Sequence, residues 1–343
     1  MTQSSEGTDS GARRAFAWIV VVVIVLAAAL TGAWYYLANR LDLAVRAGIE
    51  TAGGQGVGIT CDNRVVFGYP FRLGLKCDAL HVSAPAKDFR ADAGALRTAA
   101  QLYQPNKVVA ELDGPLIVDA PEAPPLDIRW SLGQASMSFW TAGLDHFALV
   151  LTDPVVALSE PAGARSPLVQ SDRVEVHARR RDDSLDLAVT DRGVRVLAPG
   201  LEALPAFDAS IDLTVDGAAD WLAGRREGET PGEALAGKSG TLRSMKLALA
   251  GEGGGSAEVS GPFRFADDHT VSGQFDIVVA DPDTIAGLVA KLVPQAAGIA
   301  GSIASGVAFA GKTENGRTTI RITVTDGQAA LGVIPLGALP PLR

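Results

Sequence analysis

Apolar residues alternate with polar ones along most of this chain, and the places where the alternation fails are as informative as the places where it holds. The largest failure is Phe16 to Leu37, FAWIVVVVIVLAAALTGAWYYL, which contains no charge and is apolar apart from Thr31 and Gly32. It meets the ~20 residues a helix needs to cross ~30 Å of hydrocarbon. The expectation is a transmembrane anchor over 15–38, preceded by a polar, disordered cytoplasmic tail over 1–14. A cleaved secretory signal is the alternative. A cleavable apolar run is ordinarily ~7–15 residues and ends in small residues. This one is longer and closes on Trp34, Tyr35 and Tyr36, where an interfacial aromatic belt belongs.

Residues 39–51, NRLDLAVRAGIET, keep Leu41, Val45 and Ile49 at helical spacing, which continues the anchor helix until Gly53 and Gly54 stop it. From there period two takes over. Val57, Ile59 and Cys61 share one parity, Leu73, Leu75 and Cys77 likewise share one, and Gly68, Tyr69 and Pro70 supply the turn between them. The pattern repeats through Leu96–Leu102, Val108–Leu112 and Leu116–Val118, with turns expected at Gln104–Asn106 and Asp113–Pro115. Pro121, Pro124 and Pro125 mark the expected internal boundary, dividing a first β-rich subdomain, 39–120, from a second, 121–343.

Strand patterns resume at Ile128–Leu132, Ala135–Phe139, Phe147–Leu151 and Val155–Ala157, with 161–168 as a loop. Val174–Ala178, Leu185–Val189 and Ala209–Val215 are each dry on one face and wet on the other. Trp130, Phe139, Trp140 and Phe147 read as core aromatics, with ligand stacking as the lesser alternative. Two helical interruptions are expected, near 218–236 with Pro231 breaking it, and near 282–304. The second has Asp281 as cap, Pro282 in its first turn, an apolar stripe through Ile285, Leu288, Val289 and Leu292, and a kink at Pro294. Lys291 and the glycines interrupt its hydrophobic run and argue against a second span. The fold class is therefore mainly β: an N-terminal transmembrane helix, then an antiparallel sandwich, barrel or open groove with one or two helices.

Composition agrees with many short elements joined by tight turns, with 38 Gly, 19 Pro and aromatics at 6%. The net charge of −9 and the scattered basic residues argue against nucleic acid, which needs a positive footprint on phosphates. The one tight basic run, Arg179–Arg181, reads as a solvated strand end. Arg13 and Arg14 before the anchor nearly balance Arg40 and Arg46 after it, so charge leaves orientation open.

Cys61 and Cys77 are the only cysteines. A structural disulfide across a hairpin is the simplest reading, two free buried thiols the alternative, and a zinc site is disfavoured because no second ligand pair stands nearby. A disulfide would persist only in an oxidising compartment. Together with the strand-rich body, this leads to the expectation of an inner-membrane, single-pass protein with residues 41–343 in the periplasm.

The arrangement of an anchor, a short helix, a strand with a Cys, and then GYPFRLGLKCDALHV, residues 68–82, resembles a bacterial family of unknown function made of single-pass envelope proteins. The closing GVIPLGALPPL, 332–342, is similar to the end of that family. More loosely, the plan is similar to AsmA-like envelope proteins, which often begin with an anchor and a GWPF-like hairpin. Gly68, Tyr69, Pro70, Phe71 and Arg72 carry the likeness. It implies location and architecture and, for the AsmA-like relatives, a role in lipid handling or outer-membrane homeostasis. It transfers no catalytic or binding residue.

Candidate chemistry is sparse. GEALAGKS, Gly232–Ser239, satisfies the phosphate-loop pattern but lacks the preceding strand and following helix that make such a loop work. His81, His146, His177 and His269 stand apart on different elements, no serine has a nucleophile-elbow context, and no H-E-x-x-H occurs. Asp182–Asp183 and Asp267–Asp268 read as turn residues. The expectation is a non-enzymatic protein without catalytic residues, metal, nucleotide or other cofactor. Its half-dry sheets would either hold lipid or acyl chains in an apolar groove or act as a scaffold for envelope protein partners, with an uncharacterised enzyme as the third reading.

Overall fold

The computed structural model describes residues 9–342, apart from 122, 142, 161–163, 226–229, 252–253 and 315. The first eight residues of the expected disordered tail lie outside the described residues, and from Asp9 onward the chain is helical. Helix α1 (Asp9–Gly54) takes in the apolar run and the 39–51 segment as one rod of 46 residues. At 1.5 Å per residue it is ~69 Å long, more than twice a hydrocarbon core. Its apolar window is uncovered by the rest of the protein, and Phe16, Trp18 and Ile24 are more than half exposed. It is, among the described residues, the one helix long and apolar enough to cross a membrane.

After α1 the chain forms β1 (Gly58–Cys61) and then β2 (Val65–Phe67), which turns back as β3 (Arg72–Cys77). β3 passes through a corner into β4 (Leu80–Ala84), which reverses into β5 (Phe89–Ala93); β5 bends into β6 (Leu96–Gln101), β6 reverses into β7 (Gln104–Leu112), and β7 bends into β8 (Leu116–Ala120). The same alternation yields β9 (Ala123–Arg129), β10 (Leu132–Trp140), β11 (Gly143–Thr152), β12 (Val155–Ser159), β13 (Arg165–Gln170), β14 (Arg173–Arg181) and β15 (Ser184–Val196). Each pair such as β7 and β8 is one long arm bent in the middle, and every arm pairs antiparallel with the arm before and after it. The result is a meander folded along its length into two leaves. The first leaf holds β1, β4, β5, β8, β9, β12 and β13; the second holds β2, β3, β6, β7, β10, β11, β14 and most of β15.

Hydrogen bonding continues through the corners. Gly94 N–H reaches Asp113 O at 3.1 Å, Asp113 N–H reaches Ala95 O at 2.9 Å, and Asp172 N–H reaches Arg192 O at 2.8 Å. The corners use Asp, Gly and Pro because these break the pleat without stranding a donor. Gly193 lies at φ +63 inside β15, where the arm turns from the second leaf to the first, and its N–H donates to Asp208 Oδ1 at 2.8 Å. Asp113–Pro115, expected as a reversal, is such a corner. The reversal before β7 falls at Leu102–Tyr103 rather than at 104–106. The expected boundary at 120/121 falls at the β8–β9 hairpin, whose two strands pair directly, Leu116 with Ile128 and Ala120 with Ala123.

The second leaf then extends through β16 (Phe207–Val215), helix α2 (Pro231–Leu235), β17 (Ser239–Leu249), β18 (Ser256–Phe265) and β19 (Val271–Ala280). Helices α3 (Pro282–Leu292) and α4 (Ala297–Ala310) follow, then β20 (Lys312–Glu314), β21 (Arg317–Thr325), β22 (Gln328–Leu331) and β23 (Ile334–Ala338). The sheet is open and antiparallel throughout. The expected 282–304 helix is two helices rather than one kinked helix, since Val293 leaves the helical region and Pro294 opens a short 3-10 turn. Near 218–236 there is a 3-10 turn at Ala219–Ala223 and then α2, whose N-terminus is capped by a Thr230–Glu233 capping box; Pro231 starts this helix instead of breaking it. Residues 226–229 of that segment lie outside the described ones.

The close-packed core sits in the C-terminal half. Val194, Phe207, Leu249, Phe275, Ile277, Ile285, Leu288, Val307, Ile320 and Val324 are all buried there. A smaller cluster of Ala178, Leu185, Val215 and Ala218, with Trp221 and Leu235 against it, closes the hairpin-tip end of β14 to β16.

Candidate functional site

Register places the apolar residues of neighbouring arms in line. On the second leaf one row runs Ala110, Ala135, Leu149, Val176, Val189, Ile211, Met245, Val259, Ile277 and Ile320, each paired with the next. On the first leaf a row runs Cys61, Leu80, Ala93, Leu116, Ile128, Val156, Val169 and Val196. Both rows follow from period-two alternation, which sends every second side chain to one face.

Two observations show that the rows face one interior. At the first arms, Cys61 of the first leaf is bonded to Cys77 of the second, with Cα atoms 5.3 Å apart. Near β15, Val169 and Val196 of the first leaf pack into the cluster that holds Ile211 and Ile277 of the second. Between these ends the facing side chains are less completely covered. Leu80, Leu116, Ile128 and Val156 on one leaf, and Leu73, Val108, Leu149 and Val176 on the other, are all half-buried, whereas Ile277 and Ile320 beyond β15 are buried. The arms thus enclose an apolar groove. Seven inter-strand spacings from the first arm to β15 give it a length of ~34 Å.

Past β15 the first leaf has no further strand among the described residues, and α3 and α4 take its place as the second wall. Ile285 and Leu288 are buried against the sheet, and Gly255, which meets Ile285 and the Ala280 carbonyl, leaves room for the approach. Between helices and sheet lies a cavity of about 590 Å³, walled by Ile211, Met245 and Val259 on one side and by Val289, Leu292 and Ile303 on the other. That volume falls within the range of small-molecule sites. Its wall carries one carboxyl, Asp191, whose Oδ1 is buried without a hydrogen-bond partner. Burial pushes this carboxyl above its ordinary pKa; a hydrogen bond from Ser171 pulls the other way and nearby Asp208 adds to the rise.

The hairpin residues singled out in the sequence lie against the middle of α1, at Thr31 and Trp34. Trp34, itself buried, donates from Nε1 to Arg72 O at 2.7 Å. Thr31 Oγ1 and Tyr69 OH are 2.9 Å apart, and the Trp34 and Tyr69 rings meet edge to face at 5.5 Å. Gly68 lies at φ +110, and Arg72 N–H closes the turn onto Gly68 O at 2.9 Å. Pro70 lies within this turn, and Phe71 at its tip is exposed. Cys61 and Cys77 form the hairpin disulfide, placed at a corner, where it ties the first-leaf half of one arm to the second-leaf half of the next.

The remaining candidates are scattered. His81, which looked isolated in sequence, has Asp92 at 2.6 Å and Asp62 at 3.5 Å, and His146 and His177 come within 6.5 Å of each other across paired strands. Asp127, buried on the polar face of the first leaf, accepts from Arg129 at 2.9 Å and lies 2.9 Å from Arg165, off the hydrogen-bonding direction. In the Gly232–Ser239 segment the order is helix, loop, strand, the reverse of a phosphate loop; Lys238 Nζ bonds Gly217 O and Ser239 Oγ bonds Asp216. Trp130 is half-buried at a corner and donates to Leu112 O at 2.8 Å, while Trp140, expected in the core, is 71% exposed at a hairpin tip. Among the described residues no group of three or more His, Cys, Asp or Glu could hold a metal ion.

A long exposed apolar helix followed by an open, bent β-meander around an apolar groove defines the class of protein: a groove-bearing β body on a candidate membrane anchor. The particular family is shown by the sequence, since residues 34–340 match the profile of an uncharacterised protein conserved in bacteria, DUF2125, and the chain belongs to that family. No curated protein matches it.

Proposed function

We propose that the protein is a non-enzymatic envelope protein, held in the inner membrane by α1 with its β body in the periplasm, and that it binds the acyl chains of lipids in the groove. The groove itself carries this reading. Its walls are apolar along ~34 Å while one leaflet of a bilayer is ~15 Å of hydrocarbon, so an extended chain fits lengthwise. Half-buried apolar rows facing each other leave area exposed to water at ~25 cal/mol per Å², which a bound chain would recover. A scaffold that bound partners through its outer surface would have no need of an incompletely covered interior. The disulfide supports an oxidising compartment, and the loose likeness to AsmA-like proteins points the same way.

The test is mass spectrometry of organic extracts from the full-length protein purified in mild detergent, compared with Val118→Asp, which sets a charge among the half-buried residues of the first leaf. Phospholipid or fatty-acyl species accompanying the parent and lost from the variant are expected. Equal lipid in both, or none in the parent, would sink the groove reading.

A further inference from the structure

The contacts between α1 and the first hairpin fix how the body stands on its anchor. Arg64 Nη2 lies 3.0 Å from Asp42 Oδ1, and Tyr69 OH lies 2.9 Å from Thr31 Oγ1. From Asp42 back to Thr31 the helix covers ~16 Å, and from Arg64 to Tyr69 the strand covers ~17 Å. β2 therefore runs alongside the helix in the opposite direction, and the hairpin tip points the way the anchor points. Thr31 lies inside the apolar run, ~12 Å along the helix from the first polar residue, Asn39. A tip bonded to Thr31 thus reaches the depth of the lipid interface if the run spans a membrane.

What the tips expose agrees with that depth. Tyr69 is 54% exposed and Phe71 64% exposed at the β2–β3 tip, and Tyr103 is 75% exposed at the β6–β7 tip. The two tips are adjacent, joined by Leu102 N–H donating to Phe71 O at 3.0 Å. Aromatic side chains exposed to water lose hydrophobic free energy, but at a membrane interface their amphipathic rings are favoured. The Phe139–Trp140 tip lies three strands beyond β3. A twist of ~20–25° per strand turns it by ~60–75°, off the line of the first two, so it is not assigned to the same surface.

We propose that the β2–β3 and β6–β7 tips form a membrane-seating rim. Tyr69, Phe71 and Tyr103 enter the interface of the leaflet from which α1 emerges, and the first arms of the groove stand directly on the bilayer. The occupant of this surface is the lipid bilayer. The inference rests on α1 being an anchor, and it adds a second point of attachment that holds the start of the groove against the leaflet.

The experiment uses the full-length chain in nanodiscs of phosphatidylethanolamine and phosphatidylglycerol, with a nitroxide on Phe71→Cys or Tyr103→Cys, labelled without reductant so that the native disulfide stays closed. Tyr36→Cys on the helix and Asp88→Cys at the opposite end of the arms serve as references. Collision with oxygen relative to a water-soluble nickel chelate is expected to be several-fold higher at 71 and 103 than at 88, and close to that at 36. Labels at 71 and 103 that behave as at 88, while 36 reports lipid, would overturn the rim and leave the anchor standing. Water at 36 as well would remove anchor and rim together.

Discussion

His81 and Asp191 both have raised pKa values, so both favour the folded state as pH falls, for different physical reasons. The hydrogen bond to Asp92 at 2.6 Å favours the charged imidazole and raises His81 above its ordinary 6.5, with burial opposing and Asp62 assisting. Its stabilisation is complete below 6.5 and is lost as pH rises through the raised value. Asp92→Asn should return the His81 titration midpoint toward 6.5, read by NMR of the ring protons. At Asp191 burial disfavours the charged form, so the folded protein holds its proton more tightly than the unfolded chain does. Stability should rise as pH falls through this raised pKa toward the ordinary 3.8. Asp191→Asn should therefore be more resistant to denaturant than the parent at neutral pH, by a margin that shrinks as the pH is lowered. Neither pairing could be read from sequence, because Asp92 meets His81 only through strand register and Ser171 reaches Asp191 only at the corner between β13 and β14.

At the scale of elements, the corners organise the molecule. An Asp, Gly or Pro between two alternating runs reads equally well as a reversal or as a bend within one arm, since both break the pleat in the same way. Gly68–Pro70 and Asp113–Pro115 look alike in sequence. Only the partner strands show that the chain turns back at the first and continues at the second. The Cys61–Cys77 bond ties two arms across such a corner. Replacing both cysteines with serine should cost about 3 kcal/mol in chemical denaturation, from the entropy of a loop of this size. Limited proteolysis of that variant should find its new cuts between β1 and β4, leaving the β16–β21 core protected.

For the whole molecule, one groove changes its second wall partway along, from the first leaf to α3 and α4. Those helices cover the stretch where the first leaf ends, and a cavity of about 590 Å³ lies beneath them. Filling that cavity with Ala300→Trp should lower the amount of co-purified lipid while the thermal unfolding of the sheet stays as in the parent. A cavity that serves only as a packing defect would instead show higher stability and no change in lipid.

The sequence by itself determined the long apolar helix, the β class, the one pair of cysteines that could bond and the dry face of nearly every strand. Those are local properties: an uncharged run, a period of two, and two cysteines with no others to pair with. The tertiary structure alone decided that the dry faces of two leaves oppose each other and meet at the disulfide and near β15, that α3 and α4 cover the sheet beyond β15, and that the first hairpin lies against Thr31 and Trp34. Alternation tells which face is apolar, but whether that face is filled, covered or left open depends on the angle at each corner. That angle is set by residues far apart in the chain.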